Sequence, residues 1–114
     1  MNATIDLRPE ATCELDIGVQ RLVGLVEVTL DGSLDERTAP RAQGVLEGLL
    51  VDGATTIDVD CTELLTVDGF GLALLLDAAS QLRAKGGALV LRHPPPPVLE
   101  RLREARLDHI LLVS

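Results

Sequence analysis

Thr66-Val67-Asp68-Gly69-Phe70-Gly71-Leu72-Ala73-Leu74-Leu75-Leu76 decides how the rest of the chain is read. A polar turn of one acid and two glycines runs straight into an apolar helical pattern, as a tight passage from a strand into a helix requires. Gly69 and Gly71 are expected to supply backbone conformations that a Cβ would penalise. Phe70 is the only aromatic residue of the chain, and its place in a turn rather than a core segment is unusual. At about 100° per residue, Leu72, Leu75, Leu76, Ala79 and Leu82 share one helical face. Phe70, Leu74, Asp77 and Gln81 fall on roughly the opposite face. Two readings follow: Phe70 and Leu74 point to solvent or a partner, or Phe70 precedes the helix and folds back into the core.

Outward from this stretch, the chain alternates between strand and helix signals. Leu15 and Ile17, with Cys13, alternate with acids as a half-buried strand, and Gly18 to Arg21 reads as a turn. Leu22 to Leu30 is a second strand, which makes the pair a hairpin. Asp31-Gly32-Ser33-Leu34-Asp35 closes it with turn chemistry. Thr38-Ala39-Pro40 starts a helix with Thr38 as N-cap, and Val45, Leu46, Leu49 and Leu50 form its apolar stripe. Thr56 to Cys61 is a short strand, and Asp60 caps the turn that follows.

The central helix stops at Gly86-Gly87, a pair suited to a C-cap, and Ala88 to Leu91 is a buried strand. Pro94 to Pro97 could mark a polyproline ligand, but Val98, Leu99, Leu102 and Leu107 recur helically directly after it, which favours a stiff launch into a helix. Ile110 to Val113 is the last strand. The pattern predicts one domain over residues 1–114, with 1–10 a loose lead-in. Its fold class is α/β: a mixed sheet of four or five strands with helices near 39–50, 71–85 and 97–106.

Composition narrows the function. The net charge of −8 and the absence of Trp and Tyr argue against nucleic acid, which needs positive charge and stacking platforms. No apolar run approaches the ~20 residues that span a bilayer, and Met1 to Glu10 carries no signal-peptide core, so a cytoplasmic protein without membrane insertion is expected. Cys13 and Cys61 have no metal-like spacing and read as buried small hydrophobes, with a redox pair the weaker alternative. His93 and His109 have no ligand neighbours. Asp58 and Asp60 could form paired carboxylates, but a solvated strand face explains Asp58 more simply. No phosphate loop or catalytic set assembles, so neither enzyme activity, cofactor nor metal is expected.

Gly32-Ser33-Leu34-Asp35 followed by Thr38-Ala39-Pro40, and Asp60-Cys61-Thr62 followed by Asp68-Gly69-Phe70-Gly71-Leu72, resemble the STAS domain of sulphate transporters and anti-sigma-factor antagonists. The corresponding family motifs are G-E-L-D, T-A-P, D-L-S and D-S-S-G-L, and the likeness covers about residues 22–113. It implies a small α/β protein that binds other proteins. In the antagonists, the second serine of D-S-S-G is phosphorylated by a histidine-kinase-like anti-sigma factor. The unphosphorylated form captures that factor and frees a sigma factor. A doubly negative phosphate in such a surface abolishes binding through desolvation and like-charge repulsion.

Here Gly69 replaces the first serine and Phe70 the phosphoacceptor. Phosphorylation at that position is chemically excluded, and Thr62 and Thr66 are the nearest hydroxyls. Since a phosphoacceptor must reach its kinase, the resemblance implies that Phe70 is exposed and forms an apolar patch with Leu74. The partner-binding residues it implies are Asp35, Asp68, Gly69, Phe70, Gly71 and Leu74, with the acids as a polar rim around Phe70. The run from Val67 to Leu76 also resembles the STAS subunit of phospholipid-transport ABC complexes, which docks on an ATPase subunit. A ligand-binding or scaffolding STAS module is the remaining alternative.

Overall fold

Inward Val26, Val28, Leu30 and Leu34 alternate with outward Glu27, Thr29, Asp31 and Ser33, and this alternation fixes the face on which the sheet is covered. The structure, a computed structural model, describes residues 15–23, 25–107 and 111–113. Its elements run β1 (Leu15–Leu22), β2 (Leu25–Leu34), α1 (Ala39–Val51), β3 (Thr56–Val67), α2 (Gly69–Ala84), β4 (Ala88–Arg92), α3 (Pro96–Glu104) and β5 (Leu112–Val113). Among the described residues, five strands lie in sequence order in one mixed sheet. β1 and β2 form the expected hairpin, antiparallel with Leu22 opposite Leu25, and the remaining neighbours are parallel. Residues 1–10, Cys13, His109 and Ile110 lie outside the described residues.

Three boundaries differ from the sequence reading. Gly18 to Arg21 is strand rather than turn, and the reversal lies between Leu22 and Leu25. Asp31-Gly32-Ser33-Leu34 does not close β2 but continues it, paired with β3. β3 runs past Cys61 to Val67. For β3 the physical reason is a pair of register shifts against β2. Thr29 faces Asp60 while Asp31 faces Glu63, and Gly32 faces Leu64 while Ser33 faces Thr66. Each shift inserts one extra residue into β3. Inward positions therefore step from Ile57, Val59 and Cys61 to Leu64 and Val67, and the broken alternation hides the second half of the strand.

Asp60 holds the first shift, its Oδ1 accepting from the Thr62 backbone N–H at 3.0 Å and the Thr62 hydroxyl at 2.6 Å. These two bonds, the side-chain one foremost, hold its carboxyl below its ordinary value of 3.8. Asp58 instead faces Arg92, whose Nη1 lies 3.4 Å from both Asp58 and Glu27. The two acids therefore serve separate structural contacts.

The inward row of the sheet and the buried faces of the three helices make one core. Leu34, Ile57, Leu82, Leu91 and Leu102 are completely buried in it. Truncating such a leucine to alanine costs about 2–5 kcal/mol. Cys61 lies in the same core, where burial, with a smaller push from the Asp60 charge, raises its thiol to about 12.

The helix ends follow from backbone accounting. α2 terminates with Gly87 N–H donating to Leu82 O at 2.9 Å and Gly86 N–H to Arg83 O at 3.0 Å, the double bond pattern of a Schellman cap. A Cβ on Gly87 would stand 1.6 Å from the Thr55 carbonyl oxygen, so that position admits no side chain. Lys85 Nζ donates to Leu50 O at 2.7 Å, closing the C-terminus of α1 from α2. In α3 the prolines occupy the N-cap and first helical positions, so the run serves as a stiff launch. No helix among the described residues is long and apolar enough to cross a membrane.

Candidate functional site

The C-terminal ends of β2 and β3 and the N-termini of α1 and α2 converge on Asp68. Its backbone N–H donates to Leu34 O at 3.1 Å, which fixes the end of β3 beside the end of β2. Its Oδ1 accepts from Gly71 N–H at 3.0 Å as the N-cap of α2. Its Oδ2 accepts from Glu36 N–H at 2.9 Å, in the loop before α1. One carboxylate thus ties two helix starts together. Gly71 permits the approach: a Cβ there would lie 2.8 Å from Leu34 Cγ, Leu34 O and Val67 Cγ2.

The two glycines of this turn differ from expectation. Neither is among the described glycines with positive φ. Gly71 is required for close packing rather than for an unusual backbone conformation, and Gly69 has nothing within 4 Å of a built Cβ.

Phe70, in the first turn of α2, is 58% exposed. Of the two sequence readings, the structure adopts the outward one. Leu74 does not share that exposure. It is 8% accessible and packs toward α1 in the company of Ala42 and Leu46. The expectation of an exposed Phe70–Leu74 patch is therefore corrected: α2 buries a wider arc than one stripe because it contacts both the sheet and α1. Leu74 forms the floor of an open trough between the helices. Phe70, Ala73 and Asp77 line its α2 side, and Ala39, Pro40 and Gln43 its α1 side, with Glu36 before them.

Asp35 follows Leu34, whose carbonyl oxygen accepts from the Asp68 N–H, and so stands close to the start of α2 as expected. Its Oδ1 accepts from Arg37 N–H at 2.9 Å and Thr38 N–H at 3.2 Å, so that oxygen serves its own turn. It does not line the trough; the polar groups that do are Glu36, Gln43 and Asp77. Thr38 occupies the N-cap position of α1 without a capping bond. Its hydroxyl instead accepts from Asp35 N–H at 3.0 Å and donates to Ser33 O at 2.8 Å, which shapes the loop that presents Glu36.

Glu36, Pro40 and Gln43 were not anticipated from sequence, because nothing local marks α1 as the second wall. The α2 wall was partly legible: Phe70, Ala73, Leu74 and Asp77 follow the helical i, i+3, i+4, i+7 spacing. Thr62 and Thr66 are exposed. Thr66 lies in a different cleft, with Asp68, Pro97 and Arg101. Among the described residues, no group of three or more His, Cys, Asp or Glu side chains is arranged to hold a metal ion.

Comparison with known proteins agrees with this architecture. The family model described as "Mlab, STAS domain" matches residues 17–114. The anti-sigma-B factor antagonist of Listeria monocytogenes is 30% identical over 91 residues, which cover 80% of this chain and 70% of that protein. An anti-sigma factor antagonist from Mycobacterium paratuberculosis superposes with a TM-score of 0.80 at 18% identity, covering 88% of this chain and 85% of that one. The anti-sigma factor antagonist SpoIIAA in its unphosphorylated form gives a TM-score of 0.76 at 23% identity, covering 87% and 88%.

Proposed function

The chain belongs to the STAS domain family, and from that premise we propose that it is a non-enzymatic, protein-binding regulator of the anti-sigma-factor-antagonist type. It captures a histidine-kinase-like anti-sigma factor and so frees a sigma factor, without the serine switch. The observation that carries this reading is Phe70: an exposed aromatic ring at the start of α2, where the family's antagonists carry the phosphoacceptor. Phe70 is the anchor, worth about 1.5–3 kcal/mol when fully buried by a partner. Gly69 lies open beside it, Leu74 supports it from below, and Asp35, Asp68 and Gly71 hold the two loops in shape.

The test is titration calorimetry with the histidine-kinase-like anti-sigma factor of the same organism, paired with intact-mass measurement after incubation with that factor and ATP. Wild-type protein binds and its mass does not change. Phe70→Glu, which puts a charge into the apolar surface, loses binding by more than about tenfold. Phe70→Ser restores an acceptor hydroxyl and gains a phosphate. A phosphate on Thr62 or Thr66 that releases the partner would overturn the switch-free reading, and unchanged binding by Phe70→Glu would remove Phe70 as anchor.

The run from Val67 to Leu76, with its resemblance to a transport-complex STAS subunit, supports one second reading. On it the protein is the STAS subunit of a phospholipid-transport ABC complex, and the same surface docks on an ATPase subunit. Co-purification of the tagged full chain with a permease and an ATPase, in place of an anti-sigma factor, would decide for it.

A further inference from the structure

We infer that the trough between α1 and α2 receives a helix of the partner protein, one that carries a short apolar row with a Lys or Arg at each end. The inference rests on the reading that this end of the molecule binds a protein, and it names the chemistry of the segment bound. The trough has the anatomy of a helix-binding groove: an apolar floor and walls from Leu74, Ala73, Pro40 and Phe70, with carboxylates along the rim. Glu36 stands at the near end, because its N–H is bound to the carboxylate that caps α2. Asp77 lies two turns along α2, seven residues after Phe70, or ~10 Å at the helical rise.

Among the described residues neither acid has a cationic partner; Asp77 accepts only from Gln81, at 2.9 Å. Two unneutralised carboxylates flanking an apolar floor, on a chain of net charge −8, select a cationic occupant. A second copy of this chain would bring the same acids against themselves, and like charges across an interface oppose association. A partner helix with basic residues at i and i+7 spans ~10 Å, the rise from Phe70, at the end of α2 where Glu36 is held, to Asp77, and places its i+3 and i+4 side chains on Leu74 and Phe70.

The probes are two designed helical peptides, each on the order of 15 residues so that a helix is sustained. They share one Leu/Ala row; one has Lys at positions i and i+7, the other Glu. Each is titrated into the isotopically labelled full chain and followed by amide chemical shifts. The Lys peptide is expected to shift amides along residues 36–43 and 70–77, and the Glu peptide to shift none. The affinity of the Lys peptide should fall about tenfold in Glu36→Gln/Asp77→Asn. It should also weaken at about 1 M salt, where the screening length is about 3 Å. Ala73→Gln, at an exposed helix position, fills the trough without adding charge and should block binding while the circular-dichroism spectrum stays native.

Absent binding, equal binding of the two peptides, shifts centred elsewhere, or an unaffected double variant would each overturn the inference. So would concentration-dependent shifts of the same amides without peptide, which would make a second copy the occupant. The two readings fail separately. If the Lys peptide binds here and no anti-sigma factor binds the chain, the functional reading falls and the trough stands. If Phe70→Glu abolishes anti-sigma capture and Glu36→Gln/Asp77→Asn leaves it intact, the trough inference falls alone.

Discussion

Asp68 and Glu36 are joined by a hydrogen bond of 2.9 Å from the Glu36 N–H to Asp68 Oδ2, while Asp68 Oδ1 caps α2 through Gly71 N–H. The same carboxylate therefore stabilises a helix and positions the loop opposite it. Asp68→Ala should cost about 1–2 kcal/mol from the lost cap alone, and the loss of the Glu36 bond adds to it. Asp68→Asn keeps one amide oxygen as acceptor and should cost less. Urea unfolding of the three proteins measures the order; equal stability of Asp68→Ala and wild type would contradict the bonding described.

Gly69 and Gly71 stand two positions apart and should respond oppositely to the same substitution. Gly71→Ala sets a methyl 2.8 Å from a backbone carbonyl oxygen and two side-chain carbons, an overpacking expected to cost about 1–3 kcal/mol. Gly69→Ala meets nothing within 4 Å and should be neutral or stabilise by up to about 1 kcal/mol, through the unfolded chain. Thermal unfolding of the two variants distinguishes them.

Phe70 should separate binding from folding. With 58% of the residue in solvent, Phe70→Ala should change stability by no more than about 0.5 kcal/mol. The same variant should lose most of its affinity for the partner. A large loss of stability would mean that the ring serves the core.

The Asp60–Thr62 contact predicts a pH dependence. Asp60 is held below its ordinary value of 3.8 in the folded protein, chiefly by the Thr62 hydroxyl. A depressed folded value means that the contact stabilises the fold above the unfolded value, and that this stabilisation is lost as pH falls through the folded one. Thr62→Val should therefore be less stable than wild type at pH 7, with the difference shrinking as pH drops below about 4. A constant difference across that range would exclude Asp60 as the cause.

Cys61, completely buried, should resist thiol reagents in the native state. In a Cys13→Ser background, labelling at pH 8 should proceed only as fast as the protein opens, and become immediate in denaturant. Because its thiol is raised from 9.0 to about 12 on folding, the unfolded chain ionises first. Stability should fall as pH rises above about 9.

The sequence alone determined the order of elements, the hairpin, the α/β class and the special character of the turn at Asp68. These are local properties: alternation in β2, helical spacing in α2, glycines at its end and prolines before α3 are written in adjacent residues. The family likeness added that Phe70 faces outward, which helical phase alone left open. Only the tertiary structure decided that β3 continues past Cys61, because its two extra residues make sense only against the register of β2. Only packing decided that Leu74 is covered, since the covering element, α1, lies far from it in sequence. That Glu36 rather than Asp35 lines the trough has the same origin. Which acid of the loop reaches the trough depends on where Asp68 holds the intervening backbone, across a sequence separation of 32 residues. Periodicity records the neighbours a residue has along the chain; the site is made from neighbours across it.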